Sequence, residues 1–347
     1  CTLIMGQSPD SKSYNKDKNG IPFYQGNADF GEKHPTPTVW CTAPKKIARK
    51  GDILISVRAP IGDMNIANED CCIGRGLAAI RLNKSDIVDI NYLYHYLSAT
   101  VEFLQEQGTG STFKAINKTT LEGIEIPCPS IEKQKNIAKF IIEIKTSIQY
   151  KKAELVALNE LVKSRFIEMF GDPLSNSKGY DLSDYGSLFE LNAGGTPSKN
   201  KPEYWENGNI SWIGSNMCQD TILYENDGKY ITELGFNNSS ARMFPKNTVL
   251  VALVGATIGK TALLKFETTT NQNVLGIRGI EESGNNPYFV FYYTQGLHKF
   301  FMDISDGGFA MASKGFISKL PFPIVDISLQ NDFADFVKLI DKSKFVG

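Results

Sequence analysis

Residues 131–170 read IEKQKNIAKFIIEIKTSIQYKKAELVALNELVKSRFIEMF and contain neither glycine nor proline. Apolar residues recur along this stretch at alternating spacings of four and three, as in the seam of a heptad repeat. The seam residues are Ile137, Ile141, Ile144, Ile148, Leu155, Leu158, Val162 and Met169, with Lys151 and Arg165 at the intervening seam positions. The pattern predicts one coiled-coil-like helix of about 60 Å, which begins after Pro129-Ser130 and ends at Gly171.

A single amphipathic helix cannot bury its own apolar stripe, so this helix needs a partner. Near the C-terminus, a second stripe begins with Phe333, Phe336, Val337 and Ile340, and the chain ends at Gly347. We therefore predict a spacer helix over 130–171 and the start of a second, truncated spacer helix over 328–347.

The segments on either side of the first helix resemble each other, at offsets of 188 to 197 residues. Matching segments include 6–9 with 194–197, 21–24 with 210–213, 49–56 with 245–252, 60–62 with 257–259, 77–81 with 274–278, and 126–129 with 320–323. Because these matches keep one order, they predict a tandem duplication, with domains at 1–129 and 172–327.

Each repeat combines strand-like and helix-like patterns. Short β-rich apolar runs at 53–57, 76–82, 249–254 and 274–277 predict buried strands, whereas the apolar spacing of 91–107 and 287–302 predicts amphipathic helices. Gly/Ser/Asn-rich stretches at 107–117, 192–200 and 305–315 predict exposed loops. The fold class is therefore α+β, with two similar mixed α/β domains in tandem.

Composition excludes several protein classes. The chain has 347 residues, 41% of them hydrophobic and 22% charged, which is ordinary for a folded globular protein. Its longest apolar runs are shorter than the roughly 20 residues that cross a membrane, so we expect no membrane association. The six cysteines form no C-x-x-C pair, so neither a zinc site nor a disulfide set is expected, and a cytoplasmic location is the simplest.

These residues resemble the specificity subunit of type I restriction-modification systems. The resemblance rests on Gly194-Gly195-Thr196-Pro197-Ser198, on Asn209 to Ile213, on Ile126-Pro127-x-Pro129 followed by Glu132-Lys133-Gln134, and on Phe166 to Pro173. It implies two target recognition domains, separated by long helices that pack as an antiparallel coiled coil. The sequence departs from the family in its first domain, where we expect the leading strand to be missing, and at Ile327 to Gln330, where the second helix lacks the Glu-x-Gln pattern.

The resemblance also implies a function. Such a subunit has no catalytic residues and no cofactor. It binds double-stranded DNA at a bipartite target and holds two modification (methyltransferase) subunits, which it directs to adenine methylation, and to cleavage when restriction subunits join. Because the two repeats differ, we expect an asymmetric target. Two alternatives stay open: the recognition portion of a fused restriction-methylation enzyme, and a coiled-coil scaffold without DNA binding.

Two local patterns imitate catalytic motifs. Gly255 to Thr261 resembles a phosphate-binding loop, but three residues separate its glycines where the Walker pattern needs four, and Asp63 occupies the position of Lys260 in the first repeat. Asn286-Pro287-Tyr288-Phe289 resembles a methyltransferase motif, but one proline is missing, and a helix N-terminus with proline at its first position explains it better. Neither pattern predicts an enzyme.

Polar side chains in the loops are the candidates for DNA contact, because lysine and hydroxyl groups bind phosphates while arginine, asparagine and glutamine recognise base edges. In the first repeat they are Gln7, Ser8, Lys12, Lys16, Lys18, Gln25, Asn27, Arg58, Arg75 and Lys114. In the second they are Thr196, Ser198, Lys199, Asn216, Lys260, Gln272, Asn273 and Lys314. Trp212, Phe23 and Tyr24 lie in strand-like runs, so we expect them in the core.

Overall fold

A computed structural model describes residues 1–109, 114–305 and 311–345 of the protein. The chain divides into two compact units, unit 1 over 1–151 and unit 2 over 152–347. The division falls inside helix α4 (Ile131–Phe170), so each unit contains one half of this 40-residue helix.

Unit 1 contains two β-sheets. The first has the order β1-β9-β6-β7, and all its neighbouring strands are antiparallel; its members are β1 (Thr2–Met5), β6 (Ile53–Ser56), β7 (Met64–Ile66) and β9 (Leu77–Arg81). The second has the order β2-β4-β3-β8-β5; its members are β2 (Tyr14–Asn15), β3 (Ile21–Tyr24), β4 (Trp40–Cys41), β5 (Ile47–Ala48) and β8 (Cys71–Ile73). Besides α4, the helices are α1 (Ile90–Ala99), α2 (Val101–Glu106) and α3 (Lys118–Glu122).

The described residues of unit 2 form two related sheets and a third, two-stranded one. One sheet has the order β11-β19-β16-β17-β13; its members are β11 (Glu190–Ala193), β13 (Thr221–Leu223), β16 (Val249–Ala252), β17 (Thr261–Leu264) and β19 (Val274–Arg278). Another has the order β14-β12-β18-β15; its members are β12 (Ile210–Ile213), β14 (Tyr230–Ile231), β15 (Met243–Phe244) and β18 (Thr268–Thr270). A third pairs β10 (Leu182–Asp184) with β20 (Pro321–Pro323). The helices are α5 (Tyr185–Leu188), α6 (Glu233–Asn237), α7 (Pro287–Gly296), α8 (His298–Ser305), α9 (Lys314–Ser318) and α10 (Ile327–Phe345).

The central strands are continuous apolar runs because both of their faces are buried. In β6, Ile53 and Ile55 pack in the cluster that contains Leu93 of α1, while Leu54 packs with Tyr24 on the opposite face. The same division holds in β16, where Val249 and Val251 face one cluster and Leu250 and Ala252 face another. The predicted strands at 53–57, 76–82, 249–254 and 274–277 are therefore confirmed.

The amphipathic helices differ from the prediction, because each is broken in two. The break after α1 lies at Thr100, whose hydroxyl donates to the carbonyl of Leu97 and so competes with the helical hydrogen bonding. In unit 2 the corresponding break lies at Leu297, between α7 and α8. Apolar periodicity continues across both breaks, so it predicted one helix in each repeat.

The expectation of a missing leading strand is wrong. β1 pairs with β9 as β11 pairs with β19, so the first repeat does begin with this strand. At this end the units differ one step earlier, at β10 and α5, which have no counterpart among the described residues of unit 1. The predicted loops at 107–117 and 305–315 contain 110–113 and 306–310, which lie outside the described residues. The second prediction is wrong at its end, because α9 begins at Lys314, inside the predicted loop.

One glutamine in each unit fastens the long helix to the helix that follows the sheet. Gln134 in α4 donates to the carbonyls of Ile87 and Pro129, at 2.8 Å each, and accepts the N–H of Asp89, the N-cap of α1. Gln330 in α10 donates to the carbonyl of Val325 and accepts the N–H of Asn286, the N-cap of α7. Both glutamines are fully buried.

The two halves of α4 are packed differently. In unit 2, Phe166 and Phe170 lie 5.3 and 5.6 Å, between ring centroids, from Phe333 of α10, and Arg165 lies over the ring of Phe336. The later residue of α10 therefore contacts the earlier residue of α4, so the two helices run antiparallel there. Towards the middle of α4, Ile144 and Ile148 are exposed.

The predicted seam residues have different environments. Val162 is buried and Met169 packs against the same core, whereas Ile137, Ile141, Leu155 and Leu158 are half-buried. The deepest residues of the helix in unit 2 are Val162, Phe166 and Phe170, spaced by four, because this stripe faces the aromatic cluster of α7 and α10. A coiled coil along the whole seam stays a prediction.

Among the helices in the described ranges, none is both long enough and apolar enough to span a membrane.

Candidate functional site

In unit 1 the predicted DNA-contacting loops converge at one edge of the sheets. Backbone hydrogen bonds join the loop after β1 to the turn after β8, since Gln7 donates to the carbonyl of Ile73. The same turn is held to the end of β3, where Gly76 donates to the carbonyl of Gln25. The loop after β6 is joined to the segment that contains Lys114, because the N–H of Ala59 donates to the Lys114 carbonyl. These loops form one surface, which we call the unit 1 edge.

Three of the predicted residues meet in the first part of this edge. The hydroxyl of Ser8 donates to Oε1 of Gln25 at 3.0 Å and accepts the backbone N–H of Arg75 at 3.4 Å. The Gln25 and Arg75 side chains are exposed, so their polar ends are available to a ligand. The arrangement brings the Gln25 amide and the backbone of Arg75 to one hydroxyl, and amide and guanidinium groups both recognise base edges.

The second part of the unit 1 edge contains a residue that the sequence analysis did not select. Asn27 donates from Nδ2 to Oδ2 of Asp63 at 2.6 Å, which brings an exposed carboxylate among the predicted residues. Arg58 lies on the same loop, paired through its backbone with Ala115, next to Lys114. An acidic group is therefore built into an otherwise basic and amide-rich edge.

Lys12, Lys16 and Lys18 lie apart from these contacts. Lys12 belongs to the 3-10 turn Ser11–Ser13, which Asp10 caps, and Lys16 and Lys18 lie between β2 and β3. The ammonium of Lys18 is 5.9 Å from the centroid of the Trp40 ring. These lysines extend the polar surface of unit 1 but do not join the cluster of Ser8, Gln25 and Arg75.

Unit 2 has a corresponding edge, formed by the loops after β11, β12, β16 and β18. The hydroxyl of Thr196 donates to Oε1 of Gln272 at 2.6 Å, and the two residues align with Ser8 and Arg75 in the repeat. The carbonyl of Asn273 accepts the N–H of Leu253, which fixes the loop after β18 against the loop after β16. The same pair of loops thus meets in both units, with different side chains.

The remainder of the unit 2 edge centres on Lys260. Its ammonium donates to Oε1 of Gln219 at 2.8 Å, and Nε2 of Gln219 donates to the carbonyl of Asn216 at 3.1 Å. Lys260 and Asn216 were predicted, whereas Gln219 was not. The chain Asn216–Gln219–Lys260 occupies the place that the Asn27–Asp63 pair occupies in unit 1.

Lys314 lies elsewhere in unit 2, at the first position of α9. It lines a cleft of about 400 Å³ together with Arg242, whose guanidinium donates to Oδ1 of Asn192 at 2.5 Å. Ser198 and Lys199 are exposed on the loop that follows Pro197, where the Ser198 carbonyl accepts the indole N–H of Trp205. Arg242 is a further cation that the sequence analysis missed.

The repeat itself carried the signal for two of the missed residues. Asp63 was already aligned with Lys260, and an alignment position that changes from acid to base within one polar edge marks a candidate contact. Gln219 lies three residues beyond Asn216, within the same loop. Nothing in the sequence pattern marks Arg242, because its partner Asn192 is 50 residues away along the chain.

The aromatic residues of the edges are core residues, as predicted. Tyr24 is fully buried, Phe23 and Trp212 are nearly so, and the Trp212 indole donates to the carbonyl of Gly195. Asn286 caps α7 with Pro287 at its first position, as the helix interpretation of that motif required.

The buried thiols are not poised for chemistry. Burial raises the pKa of Cys71 and of Cys218 to about 12, so both are protonated near neutral pH, and a thiolate is the form that attacks or binds metal. Across the described stretches, no cluster of three or more histidine, cysteine, aspartate or glutamate residues has the geometry to hold a metal ion.

Comparison with known proteins identifies the family. The family model for the type I restriction modification DNA specificity domain matches the chain twice, at residues 1–160 and 177–345. The chain therefore belongs to this family and contains two copies of its domain in tandem, which confirms the predicted duplication and the mixed α and β composition.

Relatives and solved structures agree with this assignment. A putative type I restriction enzyme MjaX specificity subunit of Methanocaldococcus jannaschii is 49% identical over 152 residues, which are 44% of this chain and 36% of that protein. The MjaIX specificity subunit of the same organism is 26% identical over 284 residues, covering 75% of this chain and 64% of the relative. The chain thus spans about a third to two thirds of these relatives. A crystal structure of a type I restriction-modification S subunit from M. genitalium has the same fold, with a TM-score of 0.60 at 16% identity, over 99% of this chain and 87% of that one.

Proposed function

We propose that this protein is the DNA-recognition subunit of a type I restriction-modification system. It binds an asymmetric, bipartite duplex target and directs adenine methylation and restriction by partner subunits, without catalytic residues of its own. The observation that carries the proposal is the duplicated polar edge: two units of one family each bring amide, hydroxyl and cationic side chains together on loops of the same origin. These are the groups that proteins use on phosphates and base edges.

The differences between the edges support an asymmetric target. Where unit 1 has Ser8, Arg75 and Asp63, unit 2 has Thr196, Gln272 and Lys260. A cation, an amide and a carboxylate match different donor and acceptor patterns in the major groove. Each unit then recognises its own short sequence, and base pairs between the two sequences are not contacted.

The charge distribution supports recognition in company with partners. Residues 1–129 contain 14 basic and 14 acidic side chains, whereas 130–170 contain eight basic and five acidic ones. Because phosphate contacts supply much of the affinity for DNA, a neutral recognition domain binds weakly alone. We expect tighter binding with two modification subunits, and the salt slope of the dissociation constant, measured with and without them, tests this. Equally tight binding by the isolated chain would contradict it.

The spacer helix supplies both a length and a docking face in this proposal. Ile144 and Ile148 are 43% and 49% exposed, one helical turn apart on the predicted seam. Isoleucine side chains that are this exposed on a helix of 40 residues can pack against a partner helix, either from the second spacer or from a modification subunit. In this arrangement a coiled coil fixes the number of base pairs between the two half-sites.

A double substitution tests the docking face. Ile144→Asp with Ile148→Asp should leave the unfolding of the chain within about 0.5 kcal/mol of the original, because both side chains are half in solvent. It should abolish assembly with modification subunits, as seen in size-exclusion chromatography with light scattering. Lys135→Asp, an exposed change on the opposite face of the same helix, is the matched control and should assemble. Assembly by the double variant would exclude this face.

The function itself is tested by selecting bound duplexes from a random-sequence pool, with the chain assembled with modification subunits. We expect two enriched short sequences at one constant separation. Failure to retain any duplex would favour a scaffold without DNA binding. A methyltransferase reading frame fused in frame to the encoding gene would instead favour the recognition portion of a larger enzyme.

A further inference from the structure

The position shared by Asp63 and Lys260 has its backbone fixed in the same way in both units. Ser56, at the end of β6, donates its N–H to the carbonyl of Asp63 at 2.8 Å. Ala252, at the end of β16, donates in the same way to the carbonyl of Lys260 at 2.9 Å. The side chain at this position therefore leaves the same strand end in either unit.

The glycine before each of these residues fixes the turn further. Gly62 has φ +97° and Gly259 has φ +74°, a region that side chains other than glycine rarely adopt. A Cβ on Gly62 would lie 2.7 Å from Cγ1 of Val101, and a Cβ on Gly259 would lie 2.6 Å from Cβ of Phe301. Helices α2 and α8 thus pack closely against equivalent turns, each just before the tested side chain.

On this common backbone the two side chains have opposite hydrogen-bonding character. A carboxylate can only accept hydrogen bonds, whereas an ammonium can only donate them. Asp63 is oriented by Asn27 at 2.6 Å, and Lys260 is oriented by Gln219 at 2.8 Å, so each charge is held by an amide on the loop after β3 or β12. Both amide partners belong to the polar edges described above.

We infer that this position is a specificity determinant, at which Asp63 selects a base that presents an amino donor in the half-site of unit 1, and Lys260 selects a base that presents acceptors in the half-site of unit 2. Cytosine N4 is the donor best matched to a carboxylate, and guanine O6 and N7 are the acceptors best matched to lysine. A phosphate contact cannot explain Asp63, because two anions repel each other. This inference rests on the proposed function.

The test is selection of bound duplexes by the full chain assembled with modification subunits, using Asp63→Asn and Lys260→Gln. Asp63→Asn keeps the shape of its side chain, Lys260→Gln keeps a shorter polar side chain, and both remove the charge. We expect Asp63→Asn to weaken the preference at one base pair of one half-site by about tenfold, and Lys260→Gln to do the same in the other half-site. The charge reversals Asp63→Lys and Lys260→Asp should change which base is preferred at those same positions.

Lys50 and Lys246 provide matched controls. They are exposed lysines at equivalent positions before β6 and β16, about 20 Å from the tested position along the strand. Lys50→Asp and Lys246→Asp should leave both half-sites unchanged. Equal melting temperatures for all variants show that the turns have kept their fold.

The outcomes distinguish failure of the proposed function from failure of the specificity assignment alone. If the unsubstituted complex selects no duplex, the proposed function fails, and this inference fails with it. If it selects a bipartite target and the Asp63 and Lys260 variants select the same one, only the specificity assignment is wrong. Uniformly tighter binding by Asp63→Asn, with an unchanged target, would also overturn it, since that result means simple relief of repulsion.

Discussion

The hydrogen bonds of the buried glutamine in each unit are alike, whereas the polar edges of the two units differ. Gln134 and Gln330 each join the start of a long helix to the N-cap of a shorter one: both accept the backbone N–H of that N-cap residue and both donate to the carbonyl five residues back. On the polar edges, by contrast, unit 1 has Asp63 at the aligned position where unit 2 has Lys260. The two repeats therefore have the same residue where a buried side chain binds the backbone, and different residues where the side chain is exposed. This division is expected of a scaffold that carries two different recognition surfaces.

The largest expected effect tests the difference between the two halves of α4. Phe166 packs against Phe170, Phe289 and Phe333, with ring centroids 4.9 to 5.8 Å away. Phe166→Ala should lower the free energy of unfolding of unit 2 by about 3–5 kcal/mol, because it opens a cavity in this cluster. Urea unfolding followed by circular dichroism measures the loss.

The control for this prediction lies in the unit 1 half of the helix. Ile141 is half-buried there, so Ile141→Ala should cost no more than about 1 kcal/mol. Similar losses for the two variants would mean that the aromatic cluster does not anchor α4 in unit 2.

The glutamine fastenings should be equivalent in energy. Gln134→Ala leaves the Asp89 N–H and the carbonyls of Ile87 and Pro129 without their partner. Gln330→Ala leaves the Asn286 N–H, the Val325 carbonyl and Oδ1 of Asn285 without theirs. Each change should cost about 2–3 kcal/mol, since buried groups lose hydrogen bonds that water cannot replace. Gln149→Ala, which removes an exposed hydrogen bond to Glu32, should cost little. A large loss in one unit only would break the parallel between the two fastenings.

A smaller effect distinguishes the units by pH. Burial, with the nearby Lys338 adding to it, lowers the pKa of Lys265 in unit 2 to about 8, and the aligned residue in unit 1 is the neutral Asn68. Between about pH 8 and 10.5 the unfolded chain holds a proton that folded Lys265 has released, so this residue makes stability rise with pH. Below pH 8 both states are protonated and the cost of burying the charge is paid in full.

Lys265→Met removes that pH dependence. Between pH 7 and 9.5, the stability of the variant relative to the original should fall by about 1 kcal/mol, a figure reduced because the ammonium is partly exposed and lies 4.0 Å from the Tyr288 ring. Using the difference cancels the titration of groups present in both proteins, such as Cys218 and Tyr288. A difference that does not vary with pH would mean that Lys265 titrates normally.

Much of the scaffold could be predicted from the sequence, because its signals are local. The apolar runs at 53–57 and 249–254 are strands whose faces are both buried, and the glycine-free stretch at 131–169 forms a single helix. The break at Thr100 could not be predicted, because it depends on one hydroxyl bonding to a carbonyl three residues back. The parallel pairing of β3 with β8 joins two very short strands that are far apart in the chain, so no local pattern indicates it.

The candidate site was predicted only in part, for a related reason. Residue type selected Gln25, Arg75 and Thr196. Each of them has a polar partner within its own edge in the structure. It also selected Lys12 and Lys18, which lie apart, since an exposed lysine looks the same in any loop. Asp63 was passed over because an acid is a poor candidate for DNA contact until its aligned partner, Lys260, is taken into account.

The proposed function requires that the two related units recognise their half-sites independently. Its most direct test replaces residues 1–129 with the corresponding domain of a relative and selects bound duplexes with the assembled complex. We expect a new sequence in one half-site, with the other half-site and the separation between them unchanged. A change in both half-sites would contradict it.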